Sequence, residues 1–173
     1  MNVLAVTCAY PEGRGKERSA LGVFIEDEVK ALRSHGHGVA VLAGSKRETG
    51  RSTENGVTVF RVKVYGPVFN PLHLITVIRS TRYDVVYAGF ADFSGLYACI
   101  IGRLTGKPVI VSVQGYEVES VEFRKKLGMR FNRILTVVTF FVLRFCDAVV
   151  VHSYFSKTLT QRCGVAKSKI HVV

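Results

Sequence analysis

Short, unbroken apolar runs separated by amphipathic segments constrain this chain most. Val3 to Cys8, Val39 to Ala43, the Val-Ile-Val-Ser-Val stretch before Gln114, and Ala148 to Val151 show little of the alternation of a half-exposed strand. Such runs belong to strands covered on both faces, the signature of a parallel sheet. Val57 to Val64 alternates, and Asp84 to Ala88 and Ile170 to Val173 complete the predicted strands. Helices are predicted between them. From Leu21, the positions Phe24, Ile25, Val29 and Leu32 recur at helical spacing, with acids early, Lys30 and Arg33 late, and Gly36 as the stop. Pro71 to Arg82, Phe93 to Leu104, about Val121 to Cys146, and Tyr154 to Arg162 follow, the second of these closed by Thr105-Gly106-Lys107-Pro108. Strands alternating with helices predict an α/β fold in a single domain, a parallel sheet built by right-handed crossovers. A length of 173 residues at 48% hydrophobic and 21% charged content suits one core.

The balance of 24 Lys and Arg against 13 Asp and Glu gives +11, which favours an anionic partner: nucleic acid, a phosphorylated substrate or an acidic lipid surface. Nucleic acid is the weakest of these, since the basic residues are not interleaved with aromatics in a stacking motif. Cys8, Cys99, Cys146 and Cys163 lie far apart in apolar patterns, with no C-x-x-C pair and no histidine at zinc-ligand spacing. They read as reduced core thiols, and no metal is expected. Met1 to Cys8 lacks the basic start of a secretory signal, which predicts a cytoplasmic protein.

Candidate chemistry sits in loops after strands, where open parallel sheets bind ligands. Gly13, Gly15 and Gly22 do not form a dinucleotide fingerprint, because G-x-G-x-x-G needs glycine where Arg18 stands and no acid ends the second strand. Gly22 at the opening of a helix can still let backbone N–H groups approach a phosphate or sugar hydroxyl, with Lys16 and Arg18 adding charge, or it can simply be a small residue at a helix start. At Gln114-Gly115-Tyr116-Glu117, glycine permits a sharp turn, so that Gln114 can offer an amide and Glu117 an acceptor to a polyhydroxyl ligand. The same two residues can instead cap the next helix. Ser153 is a natural N-cap, and no histidine and acid partner can be assigned to make it a nucleophile.

The stretch from Phe123 carries Phe131, Ile134, Leu135, Val138, Phe141, Val142 and Phe145 as one predicted buried stripe. Another face bears Lys126, Arg130 and Arg133, with no acid between Arg124 and Arg144. Docking on an anionic membrane and a solvated face on a core helix both account for it, and Val137 and Phe140 continue the line of the basic face. Arg144 and Asp147 interrupt an apolar run already too short for a bilayer-spanning helix.

Three stretches together resemble the amino-terminal, Rossmann-like domain of GT-B glycosyltransferases, in particular the retaining family-4 class. They are Ser19 to Leu32 with His35-Gly-His-Gly-Val39; Asp84-Val-Val-Tyr-Ala88 with Gly106-Lys-Pro-Val-Ile-Val-Ser-Val-Gln-Gly115; and Asp147 to Ser153 running through Gly164-Val165 to Val173. The resemblance implies half of a two-domain machine, with a carboxyl-terminal donor-binding domain to follow. It further implies transfer from a nucleotide-diphosphate sugar, with retention, to an acceptor such as a lipid-linked or cell-surface polysaccharide precursor, and no cofactor beyond that co-substrate. Gly22, Gln114, Gly115, Glu117 and Ser153 would line the substrate side, and no catalytic base is identified. The family often places histidine where this sequence has Gln114, and another near the end of the preceding strand, in the Tyr87-Ala-Gly-Phe90 region. The contrasting expectation is a basic membrane-docking or partner-binding module without activity of its own. On either reading the protein can sit peripherally on the inner face of the cell membrane.

Overall fold

The computed structural model describes residues 1–8, 10–11, 20–46, 49–65, 68–119, 126, 128 and 132–173. The chain divides into two compact units, Met1–Val86 and Tyr87–Val173. Its architecture is the predicted Rossmann-like α/β class, mainly parallel strands flanked by helices.

In the first unit, β1 (Asn2–Thr7) pairs in parallel with β2 (Gly38–Ser45), which pairs in parallel with β4 (Val57–Tyr65). β1 is buried from Val3 onward, so the unbroken apolar run reports burial on both faces. Helix α1 (Ala20–Ser34) ends where Gly36 takes φ 79°, and Gly36 N and His37 N donate to the carbonyls of Arg33 and Leu32. Glycine suits this left-handed cap because it lacks the Cβ that would crowd the following carbonyl. Helix α2 (Pro71–Ser80) starts with proline at its first position and Asn70 accepting from Leu72 N.

Two strands depart from the sequence reading. β3 (Gly50–Glu54) and the short β5 (Val68–Phe69) both pair antiparallel to β4. The β3–β4 link is the pair Asn55-Gly56, both at positive φ (50° and 75°), the geometry of a tight hairpin turn. β3 carries no apolar residue except glycine, so hydrophobic patterning misses it.

β6 (Val85–Ala88) crosses the division between the units. The second unit then orders β6, β7 (Val109–Val113), β8 (Ala148–Val151) and β9 (Ile170–Val172), with β7 parallel to β8 and β8 to β9. Its helices with described bounds include α3 (Phe93–Thr105), α4 (Asn132–Phe145) and α5 (Tyr154–Arg162). Only Lys126 and Gly128 are described between 120 and 131, so most of the predicted earlier part of the helix before α4, with Arg130 and Phe131, lies outside the described residues.

The predicted stripe on α4 needs correction. Val138 and Val142 are buried as expected, but Thr139 and Leu143 join them, whereas Ile134, Phe141 and Phe145 are exposed. The reason is local: α4 meets α3 through Val142, whose methyls occupy the space beside Gly95. A helix apolar on most of its circumference leaves periodicity unable to choose between adjacent faces.

Two aspartates use one device. Asp84 Oδ2 accepts from Asn2 N at 2.7 Å while its own N–H donates to Asn2 O. Asp147 repeats the pair with Val109, Oδ2 accepting at 2.7 Å and N–H donating to the carbonyl at 2.9 Å. Each carboxylate thereby opens a strand by satisfying the first N–H of another. Asp147→Ala leaves the Val109 N–H without that acceptor, and an unsatisfied buried group costs about 1–3 kcal/mol. Urea unfolding is expected to show a midpoint lowered accordingly, with Asp84→Ala, at an exposed pair, showing less.

Candidate functional site

The carboxyl ends of β6, β7 and β8 carry a run of connected polar groups. Gln114, the first residue after β7, donates from Nε2 to Gly89 O at 3.2 Å and to Ser112 Oγ at 3.1 Å. Ser112 is fully buried within β7, and its Oγ lies 3.1 Å from Nε2 of His152, the first residue after β8. The parallel register that sets Ser112 beside Val150 brings these groups together from forty positions apart.

Gly115 takes φ 110°, which side-chain-bearing residues rarely adopt, while a Cβ there would meet Ser156 Oγ only at 3.9 Å. Conformation rather than space therefore calls for glycine. The turn closes with Val118 N and Glu119 N donating to Gly115 O.

Glu117 does not face outward. It is 2% exposed, and its carboxylate accepts from Ala91 N at 3.1 Å and from Gln114 N at 3.1 Å. It ties the loop after β7 to the loop after β6, so its visible role is positioning rather than meeting a ligand. Burial pushes its carboxyl up to about 7, the backbone donors pull against that, and the charge of Asp92 adds to the rise. Asp92 is the N-cap of α3, with Oδ1 accepting from Ser94 N at 2.7 Å and Oδ2 facing Tyr116 O–H at 3.4 Å; burial raises its pKa as well. Tyr116 stacks obliquely on Phe90, ring centroids 6.0 Å apart.

Ser153 is the N-cap of α5. Its Oγ accepts from Ser156 N at 3.0 Å and donates to Ser156 Oγ at 3.0 Å, which commits it to the helix start. Gly22 is buried in the first turn of α1, in the other unit. Lys16 and Arg18 lie outside the described residues, while Lys126 and Arg133 are exposed.

Sequence reading singled out Gln114, Gly115 and Glu117, which the structure places in one loop, but passed over His152 and Ser112. The available signal was positional: His152 directly follows a strand, at the sheet edge where ligands bind. Cys99 and Cys146 are buried as expected, with thiols pushed up to about 12 and about 11 by burial, and so remain protonated at neutral pH; Cys8 and Cys163 are partly exposed. Among the described residues, no group of His, Cys, Asp and Glu is arranged to hold a metal ion.

A model of the glycosyl transferase 4-like domain matches residues 19–173. The chain belongs to this family. The fold of its members' amino-terminal GT-B half is also found in solved structures. Anabaena Alr3699/HepE in complex with UDP is 15% identical at a TM-score of 0.64, over 100% of this chain and 43% of that one. UDP-GlcNAc 2-epimerase from Methanocaldococcus jannaschii is 13% identical at a TM-score of 0.57, over 99% of this chain and 44% of that one. Arabidopsis thaliana UGT89C1, complexed with UDP-L-rhamnose, is 13% identical at 0.53, over 99% and 48%. The chain thus spans less than half the length of each of these proteins. The comparison with curated proteins gave no match. For a glycosyl transferase 4-like domain, the polar edge at Gln114 and His152 lies where a parallel sheet ordinarily meets its ligand.

Proposed function

We propose that the chain is the acceptor-side domain of a glycosyltransferase that moves a sugar from a nucleoside diphosphate sugar to an acceptor, with retention at the anomeric carbon. Family membership over residues 19–173 is the observation that carries this reading. A second, donor-binding domain holds most of the nucleotide sugar, so the isolated chain does not turn over. A lipid-linked carbohydrate or cell-surface polysaccharide precursor is the proposed acceptor, the net charge of +11 suiting a phosphorylated partner.

Within this scheme Gln114 is the residue of this chain that meets the sugar. The contacts to Gly89 O and Ser112 Oγ hold its amide in place before substrate arrives, and preorganised polar groups serve a transition state better than mobile ones. His152, steadied by Ser112, stands next in line to contact a hydroxyl. The leaving diphosphate is held by backbone N–H groups at helix starts and by the second domain, so the scheme assigns no metal. Gly22 offers such backbone in the first turn of α1, with Lys16 and Arg18 as cationic neighbours in sequence.

The test is transfer from a panel of nucleotide sugars by the protein joined to its second domain, with the anomeric configuration of the product read by NMR. Turnover of one donor with retained configuration is expected. No turnover of any donor sinks the assignment, and an inverted product sinks the stereochemical part. Gln114→Ala is expected to lower kcat/KM by about tenfold, the scale of one lost hydrogen bond to substrate, and to lower stability by about 1–3 kcal/mol through the lost bonds to Gly89 O and Ser112 Oγ.

A further inference from the structure

The outer face of α3 and α4 is apolar and uncovered. Along α4, Ile134 is 52% exposed, Val137 69%, Phe140 49%, Phe141 43% and Phe145 52%, and on α3 Leu104 is 71% exposed. The Phe141 and Phe145 rings lie 4.4 Å apart and, with Ile100 and Pro108, line a groove of about 580 Å³ between the two helices. Contiguous exposed side chains of this kind mark an interaction surface, where scattered single ones would not.

The charges around this face are mainly basic. Arg103 and Lys107 line the groove, while Arg133 and Arg144 stand at either end of the α4 row that contains Val137 and Phe140. Neither helix carries an Asp or Glu. The carboxylate at the groove, Asp147, is engaged by the Val109 N–H. A second copy of the chain would bring basic rim against basic rim, whereas an anionic surface complements it.

We propose that this face docks the protein on an anionic bilayer leaflet. Phe140, Phe141 and Phe145 enter the boundary between headgroups and acyl chains, and Arg103, Lys107, Arg133 and Arg144 reach lipid phosphates with their aliphatic stems along the apolar surface. The docking is interfacial, since no helix among the described residues is long and apolar enough to cross a membrane. Sequence reading left the Lys126, Arg130 and Arg133 side open between membrane docking and a solvated face; the exposed aromatics place the proposed contact at the α3–α4 groove instead. The inference goes beyond glycosyl transfer and does not depend on it, because its readout is binding.

The chain contains no tryptophan, so Phe140→Trp introduces a single fluorescent reporter at a half-exposed site. With vesicles of phosphatidylglycerol and phosphatidylcholine, the reporter's emission is expected to shift to the blue and the protein to co-sediment, with little of either on phosphatidylcholine alone. Phe141→Ser with Phe145→Ser should weaken partitioning by about tenfold or more, on the scale of two aromatic side chains kept from apolar surroundings. Arg133→Ala and Arg144→Ala should each weaken it by about fivefold. No sedimentation with anionic vesicles, an unshifted reporter on bound protein, or equal binding to neutral vesicles would overturn the proposal. So would a dimer that the two serine substitutions dissociate, which would assign the face to a second copy. The reporter variant keeps both aromatics, so it decides the matter even if the serine variant fails to fold.

Discussion

Glu117→Ala is expected to lower the stability of the protein by about 3 kcal/mol in urea unfolding at pH 5.5, because two backbone donors lose their acceptor at about 1–3 kcal/mol each. The two are Ala91 N and Gln114 N, which Glu117 joins across adjacent strand ends. A pH signature separates this role from mere filling of space. In the unfolded chain the carboxyl titrates near 4.5, and in the folded one burial raises it to about 7. Below 4.5 both states hold the proton. Between 4.5 and about 7 only the folded state does, so rising pH favours unfolding across that window. The contribution of Glu117 is therefore fully present in acid and is lost as pH climbs through 7. Measured against Glu117→Gln, which does not titrate, the wild-type advantage should fall by roughly 3 kcal/mol over the window, since every tenfold change in proton activity across it is worth about 1.4 kcal/mol. A flat difference would mean that the backbone donors keep the carboxylate ionised throughout.

The second large effect is expected at Gly95. A Cβ there would lie 2.7 Å from a Val142 methyl and 2.8 Å from the Phe90 carbonyl oxygen. The methyl could turn aside, but the carbonyl is backbone and cannot. Gly95→Val should therefore destabilise by about 3 kcal/mol, the upper part of the usual overpacking range, and lower Tm by about 10 °C. Gly106→Ala is the instructive contrast. A Cβ at Gly106 has open space around it, and only its φ of 66° resists, so about 1 kcal/mol is expected. Differential scanning calorimetry of the two variants distinguishes a glycine required by its neighbours from one required by its own backbone. Equal losses would contradict the packing argument.

The elements legible from sequence are those whose ends carry their own chemistry. β8 and α5 fall where expected, at 148–151 and 154–162, because Asp147 opens the strand, Ser153 caps the helix and a run of valines fills the space between. β3 was not legible through hydrophobicity, since Gly-Arg-Ser-Thr-Glu takes its pairing wholly from β4. The Asn55-Gly56 pair was the missed signal, a dipeptide suited to two successive positive φ values. At the candidate site, the strand-to-loop junction singled out Gln114 and Gly115, but spacing alone could not say that Glu117 turns inward. Nor could it bring Ser112 to His152, which depends on the register of two strands. On α4, too many apolar residues rather than too few concealed which face is buried.

The hairpin of β3 on β4 bears on how the protein behaves at high concentration. β3 ends the sheet on that side with a short strand whose residues from Gly50 to Thr53 are exposed, Arg51 among them. Arg61 of β4, itself buried, grips Glu54 at 2.8 Å and holds the end of this strand down. A polar, charged, five-residue margin is a poor template for an incoming strand, which would have to align apolar side chains against arginine and glutamate. The hairpin thus works as a selvedge, finishing the weave so that neighbouring molecules find no loose thread to extend.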